Sequence, residues 1–273
     1  MIFNPSLSAT VNTLSNTDSG QNAKIVSEYD DFYDDTIVDW RALGAKYKTK
    51  NIIQLCEGQK FTNVLDCGAG EGSVLKLLNE QDFCENLYAI EISQSGISQI
   101  ESLELNKLKE VKKFDGYEIP YPDNFFDLAF STHVLEHVEH PRILLREIKR
   151  VSKSQIFEVP LDYVINVDRY IDDLHSFGHI NVYSPSTFRY LLKSEGFVIK
   201  KELKTRINRE VLAFDLYNNK KVKKTIFTEF KLRILWPTLN LVKRILYGRK
   251  RYSEFGYDAY TCLVDSDGGL KIF

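Results

Sequence analysis

The chain has 273 residues, of which 43% are hydrophobic and 27% charged, a composition typical of a globular protein with one sizeable core. Its formal net charge of −2 gives no overall attraction to nucleic acid or anionic lipid. The four cysteines form no C-x-x-C pair, which argues against a zinc knuckle and a disulfide framework. The N-terminus lacks a signal-peptide pattern and no apolar run is long enough to span a bilayer, so a cytoplasmic protein is expected.

Strand and helix patterns alternate along most of the chain after a polar start. Residues 1–24 are rich in Ser, Asn and Thr and predict a mobile tail, whereas residues 25–60 predict helical structure before the sheet. The predicted strands are 63–66, 87–92, 111–114, 127–131, 155–159, 197–203 and 260–264. The predicted helices are 73–80, 95–105, 141–151 and 185–195. This alternation implies a doubly wound, Rossmann-like α/β fold with a seven-stranded, mostly parallel sheet whose last strand is antiparallel.

The first predicted strand runs into a glycine-rich loop, V-L-D-C-G-A-G-E-G, at residues 64–72. Glycines after a strand permit a tight turn and a close approach of ligand to backbone, and the next helix presents unpaired N–H groups. Asp66 ends this strand, and Glu91 at the tip of the next is placed to accept hydrogen bonds from ribose hydroxyls. Neither a Walker loop nor the G-x-G-x-x-G order is present. A nucleoside-containing ligand is expected, with a nicotinamide dinucleotide as the alternative.

Together with Y-A-I-E-I-S at 88–93 and F-D-G-Y-E-I-P-Y-P-D-N-F-F-D-L-A-F-S-T-H-V-L-E-H-V at 114–138, the glycine loop resembles the motifs of class I S-adenosylmethionine-dependent methyltransferases. The resemblance favours their small-molecule O-methyltransferase branch and covers residues 64–198, about half of the chain. It implies that the glycine loop receives the methionine portion, Glu91 the ribose and Asp115 the adenine amino group. The cofactor-binding residues it implies are Asp66, Gly68, Gly70, Glu91, Ile92, Asp115, Gly116 and Arg41.

The same resemblance implies that the helical segment before the sheet folds over the cofactor as a lid. Arg41 or Lys46 is then the expected partner of the methionine carboxylate, and Tyr29 or Tyr33 is expected to close the pocket. An amphipathic helix with solvated charges is the alternative interpretation.

Three of the five histidines lie in S-T-H-V-L-E-H-V-E-H-P, directly after the fourth predicted strand. Open parallel sheets bind ligands at the carboxyl ends of their strands, so this turn is expected to face the transferred methyl group. His133, as a neutral imidazole, is the leading candidate for the base that deprotonates an acceptor hydroxyl. If the segment opens a helix, His133, Glu136 and His137 lie close together. These three are the catalytic candidates.

The H-x-x-E-H spacing is also similar to that of metal-assisted O-methyltransferases, with His133 in place of their first acid. That resemblance implies a divalent cation held by His133, Glu136, His137 and His179. A metal-free base and a purely structural role for these residues remain open alternatives.

Between the last two predicted strands, residues 220–251 carry eleven Lys or Arg and a single acid, Glu229. Apolar residues recur there at helical spacing, and Pro237 is expected to start or kink a helix. Such a basic amphipathic segment suits a substrate lid, a homodimer contact or an anionic membrane surface, and suits nucleic acid less well. The expected organisation is a tail at 1–24, a lid at 25–60, a core at 61–205 and 258–266, and a basic helical insertion at 206–257.

The sequence therefore predicts a methyltransferase that uses S-adenosylmethionine to methylate an oxygen of a small-molecule or sugar-containing acceptor. RNA 2′-O-methylation and a non-catalytic protein that binds S-adenosylmethionine are the alternatives. A cytoplasmic location is expected, with peripheral contact to a membrane through residues 220–251.

Overall fold

The computed structural model describes residues 38–164 and 167–266, so the predicted tail and both Tyr29 and Tyr33 lie outside the described residues. Seven strands form one sheet: β1 (Asn63–Cys67), β2 (Asn86–Glu91), β3 (Leu108–Lys113), β4 (Phe126–Thr132), β5 (Ser152–Pro160), β6 (Phe197–Thr205) and β7 (Ala259–Ser266). Their spatial order is β3-β2-β1-β4-β5-β7-β6. The first five strands are parallel, whereas β7 runs antiparallel to both of its neighbours. The predicted fold class is confirmed.

The helices follow the strands in the alternation that the sequence predicts. They are α1 (Val38–Leu55), α2 (Ser73–Glu80), α3 (Gln94–Ser102), α4 (Pro141–Val151), α5 (Ile171–Ser176), α6 (Pro185–Ser194), α7 (Arg209–Phe214), α8 (Ile226–Phe230) and α9 (Trp236–Phe255). Among the described helices, none is long and apolar enough to cross a membrane.

Two apolar cores lie on opposite faces of the sheet, because successive residues of a strand point to opposite sides. Leu65 belongs to the core that α4 and α6 cover, and its neighbour Val64 belongs to the core that α1 and α2 cover. Both residues are fully buried. The helices of the two cores hold the sheet from both sides, which fixes the positions of the loops at its edges.

The insertion between β6 and β7 leaves the sheet at Thr205 and returns at Ala259, and these two residues are partners in the register. Ala259 is also paired with Pro160 at the carboxyl end of β5. The insertion therefore emerges at the edge of the sheet where the parallel strands end. Its longest helix, α9, has Pro237 in its first turn, and Gly248 interrupts the helical backbone with φ 66° and ψ 168°.

Candidate functional site

The glycine loop turns sharply between β1 and α2. Gly68, Gly70 and Gly72 all have positive φ, at 81°, 57° and 83°. The Gly68 amide donates to the carbonyl of Ile90 at 3.0 Å, and the Gly70 amide donates to Glu91 Oε2 at 2.9 Å. The loop is thus fastened to the end of β2, the strand that carries the predicted ribose-binding acid.

The Glu91 carboxylate connects two loops at the carboxyl ends of β1 and β2. Besides the Gly70 amide, it accepts hydrogen bonds from the Ser93 amide at 3.1 Å and the Ser93 hydroxyl at 3.0 Å. Burial raises the pKa of Glu91, and the donors from Gly70 and Ser93 oppose that rise. The carboxylate is therefore held in one orientation by partners on both loops.

Asp66 is buried at the end of β1, and α1 supplies its opposite charge. Burial raises the pKa of Asp66 well above its usual range, while the positive charge of Lys48 opposes the rise. Lys46 is exposed and lies 3.7 Å from Glu210 of α7 instead. Arg41 lies half-buried near the start of α1. Sequence analysis considered Arg41 and Lys46 and missed Lys48, because apolar spacing alone does not decide which lysine of a helix faces an acid.

The residues predicted on the adenine side come together after β3. Asp115 Oδ1 accepts hydrogen bonds from the Tyr117 amide at 2.8 Å and the Glu118 amide at 2.7 Å, which forms an exposed turn. Gly116 has φ 92°, and a Cβ atom there would lie 3.9 Å from Ile92 Cγ2. Asp115, Gly116 and Ile92 thus border one space next to the tip of β2.

The turn after β4 is not helical. Residues 133–140 are irregular and α4 begins only at Pro141, so the condition under which His133, Glu136 and His137 would lie on one helix is not met. His133 has φ 57°, the left-handed conformation, and its amide donates to the Glu158 carbonyl at 2.9 Å. A residue in that conformation cannot continue a right-handed helix. His133 and Glu136 are nevertheless close, with Nδ1 and Oε1 3.5 Å apart.

Glu158 at the end of β5 is a site residue that sequence analysis missed. Its Oε1 lies 3.3 Å from His133 Nε2, and its Oε2 accepts from Asn51 Nδ2 at 2.8 Å and from the Thr261 hydroxyl at 2.6 Å. Burial acts to raise the pKa of Glu158, but His133, Thr261 and Asn51 together lower it to about 2. An acid inside the apolar stretch Q-I-F-E-V-P was the signal in the sequence.

Glu136, His137 and His179 form a compact cluster whose ligating atoms all lie within 4.8 Å of one another. His137 Nδ1 lies 3.0 Å from the Gly178 carbonyl, and His179 Nδ1 lies 2.7 Å from Asp162 Oδ2. Glu136 is fully buried, and neither carboxylate oxygen has a hydrogen-bond partner in the described part of the chain. Three of the four predicted metal candidates therefore converge, and His133 stands beside them.

The pKa values of the two histidines in this cluster are shifted in opposite directions from the ordinary value. Burial lowers the pKa of His137. Burial also acts to lower the pKa of His179, but the Asp162 carboxylate outweighs it and raises that pKa. His137 is therefore favoured as a neutral imidazole, whereas Asp162 holds a proton on Nδ1 of His179.

Comparison with known proteins gives one family. A family model described as a methyltransferase domain matches residues 39–202. YrhH of Bacillus subtilis (strain 168), provisionally named a methyltransferase, is 31% identical to this chain over 119 residues. The match covers 41% of this chain and 66% of YrhH. Ajmaline N-methyltransferase of Rauvolfia serpentina is 31% identical over 112 residues, 39% of this chain and 38% of that enzyme. The chain thus spans less than two thirds of the length of either relative.

A solved structure shares the fold over most of the chain. The SAM-dependent methyltransferase from Archaeoglobus fulgidus superposes with a TM-score of 0.55 at 18% identity, covering 84% of this chain and 97% of that one. At this level of identity the likeness concerns the fold alone.

Proposed function

Because the chain belongs to the methyltransferase-domain family, we propose that it transfers a methyl group from S-adenosylmethionine to an oxygen of a small-molecule or sugar-containing acceptor. The observation that carries the proposal is the tie between Glu91 and the Gly70 amide, which joins the glycine loop to a ribose-binding acid. When bound, S-adenosylmethionine supplies an electrophilic methyl group on a sulfonium sulfur. The name of the Archaeoglobus fulgidus neighbour supports the choice of cofactor.

The residues at the strand ends fit this cofactor. Glu91 accepts hydrogen bonds from the Gly70 amide, from Ser93 and from the Ile92 backbone, which hold its carboxylate in the position proposed for a ribose partner. Lys48 offers a positive charge for the carboxylate of the methionine portion, and the buried Asp66 carboxyl group offers hydrogen-bond acceptors for its amino group. Asp115 and Ile92 border the space assigned to adenine. Arg41, near the start of α1, remains the alternative partner of the methionine carboxylate.

His133 and Glu158 are the proposed proton-accepting pair. An acceptor hydroxyl must lose its proton as its oxygen attacks the methyl group. His133 lies between two buried carboxylates, with Nε2 3.3 Å from Glu158 Oε1 and Nδ1 3.5 Å from Glu136 Oε1, and their negative charge would stabilise the imidazolium formed when the ring takes that proton. The side chain of His133 is 31% exposed, so an acceptor can reach it from the edge of the sheet. This pairing favours an oxygen acceptor, because a neutral amine attacks without prior loss of a proton.

The cofactor assignment is tested by calorimetry with S-adenosylhomocysteine on the wild-type chain, on E91A and on the matched control E101A, whose carboxylate is exposed on α3. Wild type and E101A are expected to bind alike. E91A is expected to bind about 100-fold more weakly, because a charged acceptor of several hydrogen bonds is lost. Saturable binding of a nicotinamide dinucleotide instead would refute the assignment.

Turnover is tested separately with a panel of hydroxyl and amine acceptors, following conversion of S-adenosylmethionine to S-adenosylhomocysteine. We expect hydroxyl acceptors to turn over and H133A to lose about 100-fold or more in rate. Tight binding of S-adenosylhomocysteine without transfer to any acceptor would favour a non-catalytic binding protein. Transfer to amines alone would contradict the oxygen assignment.

We also propose that Glu136, His137 and His179 hold a divalent cation. Each imidazole has a backbone or carboxylate partner at Nδ1, the kind of outer contact that orients metal-binding histidines, and ligating atoms of both rings lie within 4.8 Å of a Glu136 oxygen. The fully buried Glu136 carboxylate, which accepts no hydrogen bond within the described residues, supplies the third ligand. Nitrogen and carboxylate ligands suit Zn²⁺, Co²⁺ or Mn²⁺. When bound, such a cation acts as a Lewis acid that lowers the pKa of an acceptor hydroxyl.

Cobalt alone tests this site without relying on activity. Co²⁺ added to the wild-type chain is expected to give visible absorption that saturates and that Zn²⁺ competes away. H137A and H179A should lose this signal, whereas H175A, which changes an exposed histidine outside the cluster, should keep it. An unchanged signal in H137A and H179A refutes the site. A chelator-insensitive enzyme that depends only on His133 would exclude a catalytic cation.

A further inference from the structure

The middle of the insertion exposes large apolar side chains on two successive helical segments. On the first, Ile226 is 92% exposed, and Phe227 and Ile234 are also exposed. On α9, Leu246 is 76% exposed and its neighbour Ile245 is 71% exposed. Many large apolar side chains exposed within one segment of a folded chain mark an interaction site. We call the exposed faces of residues 226–246 the apolar surface.

The two ends of the insertion, in contrast, are fixed to the rest of the protein. At its start, Glu210 of α7 accepts a hydrogen bond from the Tyr47 hydroxyl of α1 at 2.9 Å. At its end, Glu254 accepts from the Ser186 amide of α6 at 3.1 Å, and Lys204 of β6 bonds to Ser253. The apolar surface is therefore held by anchored ends and does not itself pack on the sheet.

Positive charge is concentrated along the same segment. Residues 220–251 hold eleven of the 36 Lys and Arg, which leaves 25 basic against 37 acidic residues in the rest of the chain. The one acid of the segment, Glu229, is paired with Arg233 at 2.8 Å and Tyr217 at 2.9 Å. Lys243 and Arg244 directly precede Ile245 and Leu246, so cationic and exposed apolar side chains occur within the same part of α9.

We propose that the apolar surface docks on an anionic lipid bilayer, with its apolar side chains at the headgroup boundary and its Lys and Arg on lipid phosphates. Interfacial helices combine these two kinds of side chain. A second copy of this chain is a poorer partner, because a two-fold contact would bring one basic surface against another. Nucleic acid would use the positive charges but gives Ile226, Ile245 and Leu246 no apolar environment.

Docking in this way has a consequence for the proposed active site, although it does not depend on it. The insertion joins the sheet at Thr205 and Ala259, beside the carboxyl end of β5. His133 and Glu158 lie at the same edge of the sheet. A bilayer bound to the apolar surface would therefore lie on the side of the sheet where the parallel strands end and where ligands are proposed to bind.

The test is co-sedimentation of the full chain with vesicles of phosphatidylcholine alone or mixed with phosphatidylglycerol, at low and high salt. We expect binding to the mixed vesicles that weakens with salt. Each basic residue near an anionic surface contributes about fivefold to the partition coefficient, so K243E/R244E, which removes two and adds two negative charges, should bind at least about 25-fold more weakly. The matched control K76E/K109E makes the same change of charge on exposed lysines of the core and should bind like wild type.

A second variant, I245S/L246S, keeps every charge and removes two exposed apolar side chains, so it should fold normally and lose binding to mixed vesicles. Circular dichroism and melting temperature confirm folding of each variant. Absence of wild-type binding to the mixed vesicles, or equal binding by K243E/R244E and K76E/K109E, overturns the proposal. So does light scattering that shows a dimer dissociated by I245S/L246S, or salt-dependent RNA binding without vesicle binding.

Discussion

Replacing Gly68 with alanine tests the contact that brings the glycine loop against the turn carrying His133. The Gly68 φ of 81° disfavours any residue with a Cβ atom, and a methyl group there would lie 2.6 Å from Val134 Cγ2. The left-handed backbone accounts for about 1–2 kcal/mol, and overpacking adds about 1–3 kcal/mol. G68A is expected to lower the free energy of unfolding by about 2–5 kcal/mol, because these two effects add.

The second substitution, V134A, separates the two effects. Truncating Val134 removes the close Cγ atoms and leaves its Cβ 3.5 Å from the new methyl group, an ordinary contact. The double variant G68A/V134A should therefore lose about 1–3 kcal/mol less stability than the sum of the losses in G68A and V134A. Gly58 provides the control: its φ is 80°, but nothing lies within 4 Å, so G58A should show strain without coupling to V134A.

Urea unfolding measures these free energies for wild type, G68A, V134A, G58A and the double variants G68A/V134A and G58A/V134A. Calorimetry with S-adenosylhomocysteine is run on the same proteins. Additive effects of G68A and V134A would refute the contact between the loop and the turn. A cost for G68A no larger than that for G58A would refute it as well.

Three further predictions concern single carboxylates. The pKa of Glu158 is lowered to about 2 from an ordinary 4.5, so its ionised form contributes about 3 kcal/mol to the free energy of unfolding. This contribution is present above pH about 4.5 and is lost as the pH falls towards 2. Acid unfolding of E158Q should lack this loss, and parallel stability profiles of E158Q and wild type would contradict the prediction. D162N should weaken Co²⁺ binding about 10-fold or more by no longer orienting His179, and an unchanged titration would contradict that role. D115A should weaken S-adenosylhomocysteine binding about tenfold without changing Co²⁺ absorption, and equal affinity would remove Asp115 from the site.

Local sequence patterns were sufficient to predict the sheet and most of its helices. The helices at 73–80 and 141–151 were predicted with the bounds that the structure has, because a glycine turn precedes one and Pro141 begins the other. The strands were predicted from short apolar runs, each interrupted by turn residues. The position of Glu91 at the tip of β2 could also be predicted, because nucleotide-binding folds carry an acid at a strand tip about twenty residues beyond a glycine loop.

The interactions around His133 could not be predicted in the same way. Glu158, Asn51 and Thr261 come from β5, α1 and β7, and their hydrogen bonds join residues about a hundred or more positions apart. The conformation of residues 133–138 could not be predicted either, for a related reason. Gly68 allows Val134 to approach the glycine loop closely, and the His133 backbone adopts a left-handed turn that residue spacing does not reveal.

Because Thr205 and Ala259 are paired in the sheet, the insertion begins and ends at neighbouring positions on adjacent strands. Loop-closure entropy rises only slowly with length, so a short hairpin between these two positions would leave the strand ladder, Glu91 and the glycine loop as they are. We therefore expect that a different segment grafted between these two fixed points would fold on the same sheet and leave the glycine loop and Glu91 in place.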